Sequence, residues 1–251
     1  SSAGTRGRAF VARVARQGKS GLLVRHDDYL RLLDRMVFDD DPRGGYFEGD
    51  EFYHPGLAFL MTFPSGWKHQ NTRAAVTASP GEQAGLQLTL ADADDLAPGV
   101  YVAKLAGSGK IAGSNGALER IAGLPAWVGR VAIAGDAGTE RVLAAAFIRR
   151  GPGRMFQIIG FSATPDDADF RRVLTSARSF RPLTDPARLA PTPARVVVTR
   201  IAKAGTFAST LAALGAQGLD AEGTAILNNR QVADAMAVGD QLKTVTPAKL
   251  H

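Results

Sequence analysis

Four histidines, His26, His54, His69 and His251, and no cysteine set the limits of metal chemistry in this 251-residue chain. No two of them stand four apart. The His-Glu-x-x-His helix, which sets two imidazoles one turn apart with a carboxylate base between them, is therefore absent, and no thiolates replace it. His54 precedes Pro55 at a strand entry and His69 follows Trp67, positions that suit surface or hydrogen-bonding histidines. Asp39, Asp41, Gly44 and Asp50 occupy positions 1, 3, 6 and 12 of a calcium loop, but Arg43 sits at position 5, Pro42 stiffens the turn and position 12 lacks glutamate. The stretch reads as an acidic surface turn.

Gly107-Ser108-Gly109-Lys110-Ile111 has the look of a phosphate loop, yet Lys104 stands where the upstream glycine belongs and Ile111 where Ser or Thr would hold magnesium. Read as Gly107-x-Gly109-x-x-Ala112 it also touches the dinucleotide fingerprint. Gly113-Ser114-Asn115-Gly116 follows, a poor start for the helix that would bind a pyrophosphate, so a flexible loop is expected. There is no Gly-x-Ser-x-Gly elbow. Asp94-Asp95 and Asp166-Asp167 are neighbours at expected helix starts, where capping accounts for them. Trp67 and Trp127, each at a strand end, either line a cleft or cap the core. No catalytic residue, metal ligand or cofactor site is assigned.

The elements that would position these groups need a core, and 45% apolar residues in 251 supply one large or two small domains. Twenty-eight glycines and only 7% aromatic residues point to tight turns and small, close-packed side chains. The longest apolar run, Val142 to Ile148, is far shorter than the roughly 20 residues of a membrane helix, so no membrane span is expected. The net charge is +6 and the pI about 9.9. Residues 1–35 hold eight Arg and Lys against three Asp, so the excess is local and reads as a solvated or anion-facing end, with no nucleic-acid partner expected. Ser1-Ser2-Ala3-Gly4 lacks an initiator methionine and a signal core, as expected of a piece of a longer protein.

Phe10, Val11 and Val14 predict a basic helix over residues 8–17, and Leu30, Leu33 and Val37 a second one from Asp27 or Asp28. Leu57, Phe59, Met61 and Phe63 alternate as in a half-buried strand that Pro64-Ser65-Gly66 stops. Strands are expected at 74–78 and 86–90, separated by Pro80-Gly81. A helix led by Pro98 follows, then strands at 127–133, 139–149 and 155–161. Thr164-Pro165-Asp166-Asp167 starts a helix with Phe170, Val173, Leu174 and Ala177 buried. Four prolines in Pro182–Pro193 read as a linker. Beyond it come a strand (195–201), two helices (206–214 and 221–227) and a strand (241–245). The fold class is α+β, an antiparallel sheet with packed helices plus a small βααβ domain.

The short strand ending in Phe63-Pro64-Ser65-Gly66-Trp67 resembles the opening of small α/β domains of the PsbP and Mog type. Taken with Val37 to Phe47 and Phe180-Arg181-Pro182-Leu183-Thr184-Asp185-Pro186, it resembles the region downstream of the protease domain in bacterial zinc metallopeptidases related to the CAAX prenyl protease and HtpX. Residues 195–246, with Lys203-Ala204-Gly205-Thr206-Phe207, Ile226-Leu227-Asn228 and Gly239 to Lys243, resemble a LysM module. Thr206 stands where such modules commonly carry aspartate.

These resemblances imply a helical connector at 1–45, a PsbP/Mog-like domain at 46–183, a linker at 184–194 and a LysM-like domain at 195–251. They imply a bacterial envelope setting, periplasmic or membrane-associated for the parent protein, with zinc only in a catalytic domain outside this chain. The role left here is recognition or positioning, with the protease domain or its protein substrates as partners and peptidoglycan as a further one. The expected protein contacts are Phe52, Tyr53, Trp67 and Trp127; the expected glycan contacts are Gly205, Thr206 and Asn228. The alternative is a free-standing periplasmic module that binds cell-wall glycan or protein.

Overall fold

A computed structural model describes residue 30 and residues 32–135, 139–163 and 167–250. It is α+β, and it divides into two compact units: Arg43–Ala190, and Pro191 onward with the described residues up to Pro42.

The larger unit carries β1 (Tyr46–Glu48), β2 (Glu51–His54), β3 (Phe59–Thr62), β4 (Lys68–Asn71), β5 (Val76–Gly81), β6 (Ala84–Asp92), α1 (Pro98–Gly107), β7 (Gly113–Ile121), β8 (Leu124–Ala134), β9 (Glu140–Arg149), β10 (Arg154–Ser162), α2 (Asp167–Arg178), β11 (Arg181–Pro182) and α3 (Pro186–Leu189). Seven strands form one antiparallel sheet in the order β4-β5-β6-β10-β9-β8-β7, and four form a small sheet in the order β1-β2-β3-β11. Successive hairpins build the large sheet from β7 through β10, as short connections between alternating strands require.

Both faces of the large sheet are buried. On one, Val76, Leu86, Leu88, Val128, Ala144, Ala146, Ile148, Phe156 and Ile158 meet Phe170, Val173 and Ala177 of α2 and Phe59, Met61 and Phe63 of the small sheet. On the other, Trp127, Val131, Ala145, Phe147 and Met155 meet Tyr101 and Val102 of α1. The odd and even residues of β9 fall in different clusters, as the two-residue period of a strand demands.

The smaller unit holds β12 (Arg195–Arg200), β13 (Gly205–Thr206), α4 (Phe207–Leu214), α5 (Ala221–Leu227), β14 (Ala235–Met236) and β15 (Gln241–Thr246). β12 pairs antiparallel with β15, and Phe207, Leu211, Ala225, Met236 and Leu242 form its core.

Several expectations are corrected. The predicted helix 8–17 and the start of the next lie outside the described residues. Leu30 and Leu33 are helical, but Arg35 at φ 63° ends that helix and Val37 is an extended bridge to Arg195, so Val37 shares no helical stripe with them. The strand expected from Leu57 begins at Phe59, because Pro55–Leu57 is a 3-10 turn. Pro80-Gly81 ends β5 beside a bulge instead of forming the turn. Residues 113–121, expected to open as a flexible loop, are the edge strand β7. Their Ser, Asn and Gly have low strand propensity, and pairing with β8 overrides it. The Pro-rich stretch read as a linker begins at Pro182, the last residue of β11, and contains α3, whose Arg188 packs on Tyr53 of the small sheet.

Gly116 and Gly129 face each other across β7 and β8 because the backbones approach too closely for side chains: a Cβ on Gly129 would lie 2.3 Å from the Asn115 carbonyl oxygen. Gly129→Ala is expected to destabilise the larger unit by about 1–3 kcal/mol, read from the urea unfolding midpoint. An unchanged midpoint would contradict this packing.

Candidate functional site

α2 is amphipathic. Phe170, Val173 and Ala177 face the sheet, while Ala168, Arg171, Arg172, Thr175 and Ser179 recur at helical spacing on the other side. That outer stripe forms one wall of an open cleft of about 670 Å³. The turn after β3, Thr62 to Ser65, and Asp50 form the opposite wall. Pro64 and Gly66, the latter at φ 76°, bend the chain so that the Trp67 N–H donates to the Pro64 carbonyl at 3.2 Å.

The cleft's polar groups divide into those held by the fold and those left available. Ser179 Oγ accepts from the Thr62 N–H at 2.8 Å and donates to the Ser176 carbonyl at 2.6 Å, so it fixes α2 to β3. Arg172 pairs with Asp169 at 2.9 Å. Arg171 is exposed and has no hydrogen bond or ion pair among the described residues, which leaves its guanidinium open to a carboxylate or phosphate. At the other rim Asp50 Oδ1 lies 3.8 Å from His69 Nε2, and the His69 ring stacks on Phe47 at 4.3 Å. A cation on one wall and a carboxylate on the other, beside Phe63 and Pro64, suit the capture of a polar chain segment.

The four aromatic residues expected to make protein contacts do not share an exposed face. Phe52 is 0% exposed, Tyr53 and Trp67 5%, and Trp127 6%. Phe52 and Trp67 belong to the cluster under α2, whereas Trp127 packs on Phe147 on the opposite face of the sheet. Burying such large apolar groups outweighs displaying them. Tyr53 is the nearest of the four to a polar cluster. The Arg188 guanidinium lies 4.1 Å over its ring, Tyr46 stacks on it at 5.4 Å, and its hydroxyl donates to Glu51. Burial, aided by that bond to Glu51, pushes the Tyr53 hydroxyl up to about 12. The same bond, with Arg181 at 2.9 Å, holds the Glu51 carboxyl below its ordinary value. Arg188 also pairs with Glu48 at 2.6 Å, so this cluster fastens α3 to the small sheet.

In the smaller unit Gly205 and Thr206 are exposed and pair with Met236 and Ala235. Thr206 caps α4: its hydroxyl accepts from the Ser209 N–H and the Ser209 hydroxyl accepts from the Thr206 N–H. Asn228 is occupied by the fold. Its amide donates to the Thr224 and Lys243 carbonyls at 2.8 and 2.7 Å and accepts from the Lys243 N–H at 2.8 Å, joining the end of α5 to β15. Its side chain therefore has a structural role in joining these two elements.

Sequence reasoning missed Arg171, although the polar recurrence at 171, 172, 175 and 179 was the available signal. Nothing in the Pro-rich stretch pointed to Arg188.

Among the described residues no group of three or more His, Cys, Asp or Glu side chains is placed to hold a metal ion. No helix of the described residues is long and apolar enough to cross a membrane. No protein-family model matches the sequence, and no curated protein does. Among solved structures, the chain is similar to a protein from Bacteroides thetaiotaomicron VPI-5482, with a TM-score of 0.39 and 12% identity over 62% of this chain. It spans 55% of that protein's chain, and likeness at this level carries no argument about function.

Two outcomes follow. Asn228→Ala leaves the Thr224 carbonyl and both Lys243 backbone groups without their amide partner, and is expected to cost the smaller unit about 1–3 kcal/mol by denaturant unfolding. His54 accepts the Leu57 N–H on Nδ1 at 3.1 Å, and burial lowers its pKa from the ordinary 6.5. The unfolded chain therefore takes up this proton at higher pH than the folded one does, and stability falls as pH drops below 6.5. His54→Asn is expected to lessen that fall in urea midpoints measured between about pH 7 and pH 5.

Proposed function

We propose that these residues form a non-catalytic recognition and positioning region of a bacterial envelope zinc-dependent metalloprotease, with the catalytic domain outside this chain. The observation that carries this reading is the meeting of the stretches in which the resemblance resides. Residues 46–67 and 180–186 build one four-stranded sheet: Arg181 pairs with Leu60 and Pro182 with Phe59, Phe180 stacks on Phe59 at 4.9 Å, and Arg181 bonds Glu51 across 130 residues. Two distant motifs are thus parts of one structural feature. The cleft beside it, with Arg171 open, supplies a place for an acidic segment of the protease domain or of a protein substrate.

A second reading is a free-standing periplasmic module for cell-wall glycan or protein. It is favoured by the βααβ order of residues 195–246 and by the exposed strand Gly205–Thr206.

The coding sequence upstream of Ser1 tests the first reading: a His-Glu-x-x-His helix is expected there, and its absence removes the protease assignment. Capture of a reduced, acid-rich unfolded protein by the purified chain is expected to weaken several-fold in Arg171→Glu if the cleft is the contact. Cosedimentation with insoluble peptidoglycan, lost when the chain ends at Ala190, would favour the second reading.

A further inference from the structure

The seven-stranded sheet has two edges, and they are treated differently. β4 is four residues long, and the side chain of its last residue, Asn71, donates to the Gly44 and Gly45 carbonyls. In the small sheet, β1 has three residues, and β11 has two and includes Pro182. The smaller unit covers its edges: residues 35–38 exchange backbone bonds with Ala194 and Val196 along β12, and Gly218 and Asn228 bond β15. β7 is different, with nine residues, no proline and no lysine.

The register shows which backbone groups of β7 face outward. Ile121 and Leu124 flank a two-residue turn, Ala122 at φ 47° and Gly123 at φ 81°, so they form a hydrogen-bonded pair. Alternation then directs residues 113, 115, 117, 119 and 121 to β8, and leaves the N–H and C=O of Ser114, Gly116, Leu118 and Arg120 pointing away from the sheet. No described residue bonds these backbone groups. The charged side chains of the strand are already engaged in the same chain. Glu119 makes two bonds to Arg178, at 2.8 and 3.0 Å, and Arg120 donates to the Gly123 carbonyl. What remains is an uncharged, exposed run, Ser114 to Leu118, with Leu118 71% exposed. Folded chains ordinarily guard such an edge with charge, proline or a covering segment.

We propose that β7 is a homodimer interface, at which a second copy adds its own β7 antiparallel and continues the sheet across a two-fold axis at Ala117. Ala117 is the midpoint of the strand, so this register overlaps all nine residues. It pairs Ser114 with Arg120 and Gly116 with Leu118 of the second copy, and all four outward-facing residues of each chain exchange bonds. The side-chain pairs are self-complementary. Leu118 of one copy falls opposite Gly116 of the other, on the face that carries α1, where its own side chain already leans on Gly99. Glu119 falls opposite Asn115 and Arg120 opposite Ser114, so no like charges oppose each other. A register centred on Glu119 would set two carboxylates face to face. One centred on Leu118 would oppose two leucines and pair fewer outward groups.

Ala117 would face its own counterpart, which makes the two-fold testable. The mass of the full chain is measured by light scattering over a concentration series, with twice 26.4 kDa expected at the upper end. Ala117→Asp and Ala117→Lys each set like charges opposite each other and are expected to give monomers, while their equimolar mixture restores the dimer. Circular dichroism confirms that both variants fold. The chain has no cysteine, so Ala117→Cys introduces a single thiol, and a non-hydrogen-bonded antiparallel pair brings Cα atoms within disulfide range. Mild oxidation is expected to cross-link Ala117→Cys at least tenfold faster than Asn115→Cys. A monomer at every concentration, a dimer indifferent to both charges, or equal cross-linking at the two positions would each overturn the proposal.

Discussion

Ala144, Ala145, Ala146, Phe147 and Ile148 are all within 2% of full burial, although successive residues of a strand point to opposite faces. β9 can satisfy this only if the sheet is covered on both sides, and the rest of the larger unit answers that requirement. α1 closes one face; α2 and the small sheet close the other. Three consecutive alanines keep the covering layers close. Gly160 on β10 does the same for α2, since a Cβ there would lie 2.4 Å from Val173 Cγ2. At about 25 cal/mol per Å² of apolar area, this two-sided burial is the dominant stabilising term, and it spends the large aromatic residues on the core.

With Phe52, Trp67 and Trp127 inside, the features left for recognition are those that the core does not use: the outer stripe of α2, the turns and the sheet edges. The small sheet is fastened from several directions. Arg150 donates to the carbonyls of Leu57 and Ala58 at 2.7 Å, and burial lowers its pKa, which marks a guanidinium partly withdrawn from water. Arg188 and Arg181 reach Glu48 and Glu51. Solvent-accessible ion pairs contribute little singly, so the effect of these partly buried ones is chiefly to orient the sheet that forms a wall of the cleft.

The cleft and the β7 edge draw on different physics. The cleft offers an unneutralised guanidinium, which recognises charge, whereas the edge offers unpaired amides and carbonyls, which recognise an extended backbone. α2 connects them, because Arg171 opens to the cleft while Arg178 of the same helix holds Glu119 of β7. The bidentate pair holds the Glu119 carboxyl below its ordinary value. This keeps a negative charge fixed near one end of the edge without placing it in the uncharged run.

The sequence by itself determined what depends on local pattern. Period-two alternation located β6 and the β8–β10 meander, and the β–α–α–β order of residues 195–246 was readable from local pattern; in the structure Thr206 and Asp220 cap the two helices and Gly215 ends the first in the left-handed region. Where a residue's role depended on a distant partner, tertiary structure decided it. β7 is a strand because β8 pairs with it, Val37 is extended because it bridges Arg195, and Asn228 is structural because Lys243 lies beside it. The cleft is of the same kind. The helical spacing of Arg171 was readable, but the wall opposite comes from Thr62 to Ser65, more than a hundred residues away, where only long-range packing could bring it.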